Sequence, residues 1–169
     1  KKRFIEHKRR VFHALITQER TKKLELLIHL LANSRQALVV CGPQGIGKST
    51  LLKVLQENQV ESWCYCPLPA NAAFSLEKIQ AHIAQVIKQN LPDQHLQELS
   101  GVFRQLENQH KNIVLMIDDA GRLAPGLINK IIDYAADHPV LRVIFVLTHD
   151  ELYVKNRSDA AIDDCHLIE

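Results

Sequence analysis

The sequence lacks any apolar run that approaches the roughly 18 residues needed for a membrane-spanning helix. It also lacks the pattern of a secretory signal peptide, because the basic start is not followed by an apolar stretch and a small-residue cleavage site. We therefore expect a cytoplasmic location, either for the whole protein or for the cytoplasmic domain of a membrane protein. The 169 residues are enough for one domain with a substantial core.

Cysteine is scarce, and the four cysteines do not follow a zinc-binding pattern. Cys64 and Cys66 are one residue apart, and no second Cys/His pair at zinc spacing accompanies them. Cys41 and Cys165 lie in apolar strand-like runs, where a free cysteine acts as a small hydrophobic residue. We therefore predict four structural thiols in a reducing compartment.

The chain carries no large excess of either charge, since the formal net charge is +2. The exception is residues 1–10, which contain six Lys or Arg and one Glu. Such a segment can contact nucleic acid or an anionic membrane, although a solvated helix end is the simpler interpretation. No recognition helix or aromatic stacking platform accompanies it, so we do not expect DNA binding as the main activity.

Glycine is also scarce, yet three of the six glycines fall within one short stretch. This stretch follows an apolar strand-like run at 37–41 and precedes a helical pattern. It matches the phosphate-binding pattern G-x-x-x-x-G-K-[ST] at every fixed position. Its residues are Gly42, Pro43, Gln44, Gly45, Ile46, Gly47, Lys48, Ser49 and Thr50. The sequence therefore predicts a nucleotide-binding loop.

Each part of this loop has a chemical role. The glycines let the backbone N–H groups of residues 43–48 point at phosphate oxygens, and the following helix directs its positive end at the same anion. Lys48 can reach the β- and γ-phosphates, and the Ser49 hydroxyl can bind Mg²⁺. We expect Thr50 to contact the α-phosphate. The predicted cofactors are therefore ATP and Mg²⁺.

Two other strand ends carry polar residues. Asp118 and Asp119 follow the apolar run at 113–117, and Thr148 follows the run at 140–147. Asp118 is the predicted Mg²⁺ residue, Asp119 the predicted base that orients the attacking water, and Thr148 the predicted contact to the γ-phosphate. The alternative is that the two acids only cap a strand end and that Thr148 is an ordinary strand residue.

Periodicity predicts an α/β fold in which strands alternate with helices. We expect helix in residues 1–33 and a P-loop NTPase core in residues 34–169. Strands are predicted at 36–41, 63–68, 113–119, 140–147 and 165–168. We predict that Pro67 and Pro69 stop the second strand. Helices are predicted to about residue 56, from 75, at 93–109, at 125–136 and shortly after 150.

The loop at 42–50, the strand at 113–119 and the strand at 143–148 resemble the Walker A, Walker B and sensor-1 segments of AAA+ ATPases of the additional-strand class. Within that class, the spacing resembles ExeA/GspA-type secretion ATPases. The segments 147–153 and 163–169 are similar to the ATPase domain of DamX-type cell-division proteins. The resemblance implies a five-stranded parallel sheet in the order 5-1-4-3-2, with helices on both faces. It also implies a ring or a nucleotide-driven dimer.

The sequence departs from this family in three places. The family usually has Asp-Glu where this chain has Asp118-Asp119, and the shorter side chain would lie farther from the γ-phosphate. The family's arginine finger precedes the fifth strand, where Arg157 is the nearest candidate although it lies early. We also expect the helical lid with its sensor-2 arginine to be absent or truncated, because the sequence ends at Glu169.

Two functions follow from these features. The first is an Mg²⁺-dependent ATPase that drives or switches a larger bacterial assembly through self-association or a partner protein, with a membrane-associated assembly as one alternative. The second is a switch that binds ATP or ADP with little or no turnover. A GTPase is less favoured, because no N-K-x-D element follows the D-x-x-G match at 118–121. A kinase is less favoured because an arginine-rich lid is missing.

Overall fold

The computed structural model of the chain describes residue 18 and residues 21–43, 48–57, 62–90 and 98–169. The chain divides into two compact units, Lys1–Ser34 and Arg35–Glu169. In the first unit, residues 21–33 form helix α1, in which Leu27 and Leu31 are buried. The basic residues 1–10 lie outside the described ranges. Within those ranges, none of the helices is both long and apolar enough to cross a membrane.

The second unit alternates strands with helices, as the periodicity predicts. Its elements are β1 (Leu38–Cys41), α2 (Lys48–Glu57), β2 (Trp63–Pro69), α3 (Leu76–Asn90), α4 (Leu99–Asn108), β3 (Asn112–Asp118), α5 (Leu127–Asp137), β4 (Leu141–Leu147), α6 (His149–Ser158) and β5 (His166–Ile168). Two short 3-10 helices, Ala120–Arg122 and Ala160–Asp164, precede α5 and β5. The predicted helix α3 begins as expected, because the Ser75 hydroxyl accepts a hydrogen bond from the Lys78 N–H at 3.3 Å.

The five strands form one parallel sheet in the order β2-β3-β4-β1-β5. This confirms the predicted order 5-1-4-3-2. The central strands β3 and β4 are almost entirely buried, which explains their continuous apolar sequences. Because all strands are parallel, their carboxyl ends lie at one edge of the sheet. That edge holds the loop after β1 and the polar residues after β3 and β4.

Helices cover both faces of the sheet. Alternate strand residues such as Val39, Leu115 and Phe145 form one apolar cluster with the buried side chains of α3, α4 and α5. Residues between them in the strands are equally buried but belong to the opposite face. The three buried leucines of α2 are also outside that cluster: Leu51, Leu52 and Leu55.

The predicted end of the second strand is right to one residue, but the predicted stop at Pro67 is wrong. Strand β2 runs through Pro67 and ends only at Pro69, in register with β3 along its whole length. Proline is tolerated there because β2 is the edge strand of the sheet, where only one side of the backbone needs to pair. The other corrections are small: β1 starts at Leu38 and α5 at Leu127. Residues 93–97 of the predicted helix at 93–109 lie outside the described ranges.

A buried carboxylate joins the segment after α6 to the start of α5. Asp159 has no solvent exposure, and its two oxygens accept hydrogen bonds from the N–H groups of Gly126 and Asn129, both at 3.1 Å. The Ser158 hydroxyl donates a third hydrogen bond at 2.7 Å. Gly126 is the N-cap of α5 and adopts a left-handed conformation with φ of 86°, which glycine permits. Asp159 therefore caps α5 from a distant part of the chain.

Two more contacts strengthen this junction. The Asn129 side-chain oxygen accepts a hydrogen bond from the Ala161 N–H at 3.0 Å. Lys155 is also buried, and its ammonium donates a hydrogen bond to the Leu123 carbonyl. The turn that follows β3 is thus fixed to the helix that follows β4. The sequence reasoning did not identify any of these residues.

All four cysteines are free thiols in the structure. Burial raises the pKa of the Cys66 thiol to about 12, and the neighbouring Cys64 adds to the shift. Burial also raises the pKa of Cys165 to about 11, with Asp164 and Asp163 as smaller causes. Thiolate is the reactive form, so these cysteines are protected by both burial and protonation.

This protection predicts slow alkylation of Cys66. At pH 8 a thiol with a pKa of about 12 carries roughly a thousandfold less thiolate than one at the ordinary value of 9.0. We expect iodoacetamide to modify Cys66 last among the four cysteines in the folded protein, and all four at similar rates in denaturant. Peptide mass spectrometry measures both series. Equal rates for Cys66 in the folded and denatured protein would contradict the prediction.

Candidate nucleotide site

The side chain of Lys48, the lysine of the predicted phosphate loop, contacts the first residues of that loop. Lys48 opens helix α2, and its ammonium donates hydrogen bonds to the carbonyls of Gly42 at 3.1 Å and Pro43 at 2.7 Å. The Gly42 N–H donates to the Leu147 carbonyl at 3.3 Å, which ties the loop to the end of β4. A positive charge is thereby held at the carboxyl edge of the sheet.

The rest of the loop is described only in part. Gln44, Gly45, Ile46 and Gly47 lie outside the described residues, as does the side chain of Ser49. Thr50 lies in the first turn of α2 and is exposed. No acidic residue occupies this first turn. The positive end of the helix therefore remains suited to an anion.

The two predicted acids occupy different positions at the end of β3. Asp118 is the last strand residue and is partly buried, and its Oδ1 accepts a hydrogen bond from the Asp119 N–H at 2.9 Å. Asp119 lies beyond the strand in a left-handed conformation with φ of 52°, and its side chain is exposed. The chain turns at Asp119 into the 3-10 helix Ala120–Arg122. Only Asp118 thus continues the direction of the strand.

Thr148 forms a capping box with Glu151 at the start of α6. The Thr148 hydroxyl accepts a hydrogen bond from the Glu151 N–H at 3.1 Å, and the Glu151 carboxylate accepts one from the Thr148 N–H at 2.9 Å. Because the hydroxyl acts here as an acceptor, its proton is still able to donate to another group. The sequence reasoning missed Glu151, although the pattern T-x-x-E is the usual signal of a capping box.

Glu151 also contacts the turn that follows β3. A Cβ atom at position 121 would lie only 2.5 Å from Glu151 Cδ and 2.7 Å from Glu151 Cγ, and closer still to Oε2. Glycine is therefore required at position 121 while Glu151 keeps this position. The side chain links the end of β4 to the turn after β3.

Charged side chains near the carboxyl ends of the strands shift the pKa of a buried thiol. Burial raises the pKa of Cys41, the last residue of β1. The negative charges of Glu169 and Glu151 raise it further, whereas the ammonium of Lys48 and a hydrogen bond to Gly42 lower it. Lys48 and Glu151 therefore both lie within electrostatic range of the last residue before the loop.

The donor set at this edge fits Mg²⁺ rather than a transition metal. Asp118 supplies a carboxylate, and Mg²⁺ is usually held by one or two such groups together with phosphate oxygens and water. In the described parts of the chain, no group of three or more His, Cys, Asp or Glu residues could hold a metal by itself. A protein-only metal centre is thus not built from these residues.

The arginine-finger candidate is on helix α6, away from the strand ends. Arg157 is exposed, and its guanidinium lies 5.0 Å from the centroid of the Tyr153 ring. It also donates a hydrogen bond to the Tyr153 hydroxyl at 3.2 Å. Tyr153 and the neighbouring Val154 are 68% and 61% exposed, so this part of α6 presents apolar side chains to solvent.

Comparisons with known proteins agree with this architecture. Cdc6p from Pyrobaculum aerophilum matches 90% of this chain and 44% of its own, at 17% identity and a TM-score of 0.57. The Walker-type ATPase of Pyrococcus abyssi matches 86% of this chain and 50% of its own, at 18% identity and a TM-score of 0.56. A chain from the structure of Drosophila ORC bound to AT-rich DNA and Cdc6 matches 98% of this chain and 58% of its own, at 9% identity and a TM-score of 0.60.

At such low identities these structures establish the fold alone. The chain spans about half the length of these solved relatives. No curated protein matches the chain. A family model described as an AAA domain matches residues 29–154, which include the loop, both acids and Thr148. Because this match extends over well more than half of the chain, the protein belongs to the AAA domain family of P-loop ATPases.

Proposed function

We propose that this domain binds ATP with Mg²⁺ and hydrolyses it to drive or switch a larger bacterial assembly. The observation that carries the proposal is the ammonium of Lys48, which is held by the Gly42 and Pro43 carbonyls at the same sheet edge as Asp118. The cation follows β1 and the carboxylate ends β3, two parallel strands with only β4 between them. These are the two groups that phosphate and its metal require. The AAA domain match supports the same interpretation.

In this proposal the chain binds the triphosphate through its loop. Backbone N–H groups of residues 43–48 hold the phosphates, Lys48 neutralises charge on the outer two, and Thr50 contacts the α-phosphate. To reach the phosphates, the Lys48 ammonium exchanges its loop carbonyls for phosphate oxygens. A contact between the ammonium and an anionic phosphate oxygen joins opposite charges, so it is stronger than the contact to a neutral carbonyl that it replaces.

Asp118 and Ser49 are the residues that we propose to hold Mg²⁺. The ion, when bound, supplies positive charge that stabilises the negative charge developing on the phosphate oxygens. Asp119 as the water-orienting base and Thr148 as the γ-phosphate contact stay predictions. The exposed position of Asp119 would require its side chain to turn inward on nucleotide binding.

The larger assembly is proposed from the resemblance to ExeA/GspA-type secretion ATPases and to DamX-type cell-division proteins. Such an assembly would use this unit in the cytoplasm, through self-association or a partner protein. Arg157 would then act on nucleotide bound by a neighbouring copy. Its exposure on α6 is compatible with that role, since a group acting in trans must reach the surface.

A second candidate function is a switch that binds ATP or ADP with little or no turnover. It is favoured by the exposed, left-handed position of Asp119 and by its short side chain. A carboxylate misplaced by about 1 Å can lower the rate by about a hundredfold. Binding alone would then change the affinity for a partner.

ATP binding by calorimetry and phosphate release at several protein concentrations test the two candidates together. Under the ATPase proposal we expect binding, and turnover per molecule that rises with protein concentration because a neighbour completes the site. The variant Asp118→Asn should bind ATP with a much weaker dependence on Mg²⁺. Binding with turnover that is flat and near zero would favour the switch. Absence of binding would overturn both functions.

A further inference from the structure

One acidic side chain near the carboxyl ends of the strands, where the nucleotide is proposed to bind, has no assigned role in hydrolysis. Strand β4 lies between β3 and β1 in the sheet, so α6 begins between Asp118 and the phosphate loop. Glu151 is in the first turn of α6. A carboxylate at this place is at the same carboxyl ends of the strands as the groups that are proposed to bind the γ-phosphate and its metal.

Two contacts fix the Glu151 carboxylate on the β3 side. One oxygen accepts the hydrogen bond from the Thr148 N–H at 2.9 Å, and the side chain lies against the backbone of Gly121. The second oxygen, Oε2, is the atom nearest to where a Cβ of residue 121 would be. The carboxylate is thus held in one place before any ligand binds, which is the condition for efficient proton transfer.

The charge of Glu151 also reaches the residue that precedes the phosphate loop. The charges of Glu151 and Lys48 both act on the Cys41 thiol, immediately before Gly42. Glu151 is only partly exposed, so water can reach it while the surrounding chain restrains it. Asp119, by contrast, is exposed and follows the left-handed turn away from β3.

We propose that Glu151, rather than Asp119, is the carboxylate that orients the attacking water. This inference rests on the proposed ATPase function. The water oxygen bonds to the γ-phosphorus while the bond from that phosphorus to the β–γ bridging oxygen breaks. The water proton passes to Glu151 Oε2 and from there to solvent, which leaves ADP and inorganic phosphate. Gly121 is the residue that leaves space for this carboxylate.

The variant Glu151→Gln tests the proposal, because glutamine keeps the capping hydrogen bond but is not a base. We expect ATP affinity and melting temperature to stay close to those of the unaltered chain, while single-turnover hydrolysis falls about a hundredfold or more. Asp150→Asn, an exposed acid next to Glu151, is the matched control.

Gly121→Ala provides a second test that leaves the carboxylate in the protein. The new methyl group cannot coexist with the present position of Glu151, so the side chain must move. We expect ATP binding to remain and hydrolysis to fall by about tenfold or more. If Glu151 had only a structural role, these variants would have a lower melting temperature, and ATP binding and hydrolysis would fall together.

The outcomes separate this inference from the function on which it rests. If the unaltered chain binds ATP but releases no phosphate even at high protein concentration, the ATPase proposal fails, and the role of Glu151 fails with it. If the unaltered chain hydrolyses ATP and Glu151→Gln does so at a similar rate, only the role of Glu151 is overturned. Loss of activity in Asp119→Asn with full activity in Glu151→Gln would restore Asp119 as the base.

Discussion

Replacing Lys48 with alanine is expected to raise the dissociation constant for ATP by about a hundredfold or more. Charge-assisted hydrogen bonds contribute about 1.5–3 kcal/mol each, and the ammonium is the cation held over the loop by its Gly42 and Pro43 contacts. A loss of about 2.7 kcal/mol corresponds to a hundredfold change in affinity. Calorimetry with ATP and Mg²⁺ measures the change directly.

Lys53→Ala is the matched control for this experiment. Lys53 is on the same helix α2, and its side chain is exposed. The control removes one positive charge from the same helix without touching the loop carbonyls, so it should leave the affinity nearly unchanged. Equal weakening by both variants would mean that the effect is general electrostatic attraction, and the phosphate-loop interpretation of Lys48 would be wrong.

Replacing Asp159 with alanine is expected to destabilise the fold by about 3 kcal/mol. The change leaves the N–H groups of Gly126 and Asn129 and the Ser158 hydroxyl without their acceptor in a buried place. It also removes the negative charge at the positive end of α5. For a protein of this size the melting temperature should fall by about 6–12 °C.

Two further variants sharpen this measurement. Asp159→Asn keeps one side-chain oxygen as an acceptor and should lose only about half of the stability that alanine loses. Asp163→Ala removes an exposed carboxylate four residues later and should change the unfolding free energy by less than about 0.5 kcal/mol. Chemical denaturation of the three variants gives the comparison. A similar effect of Asp159→Ala and Asp163→Ala would exclude a capping role for Asp159.

Much of the fold could be predicted because its signals are local. The apolar run in β3 and the spacing of apolar residues in α3 each depend on neighbours within a few residues. The strand order is different, since it came from the family resemblance and not from periodicity. Only the stop at Pro67 was predicted wrongly, for a related reason: a proline stops an inner strand but not an edge strand, and the local sequence pattern does not say which strand is at the edge.

The candidate site also has a part that a local sequence pattern predicts and a part that it does not. The phosphate loop is a contiguous pattern whose chemistry is local, so the sequence by itself could predict it. The contacts of Glu151 with Gly121 and of Asp159 with Gly126 join residues about 30 positions apart. No local pattern specifies such pairs, because they depend on how the turn after β3 packs against α6. The sequence shows these residues only as separate acids and glycines.

The two prolines of β2 have a consequence for how copies of this protein can meet. An edge strand normally offers a row of N–H groups to which a foreign strand can add, and this is a common route to aggregation. Pro67 and Pro69 are two residues apart in β2, so their backbone nitrogens face the same side of the strand. Because β2 pairs with β3 along its whole length, that side is the outer one, away from β3. Growth of the sheet by strand addition is therefore blocked at this side. Strand addition between copies is thus disfavoured at the β2 edge, and the other edge of the sheet, β5, contains no proline.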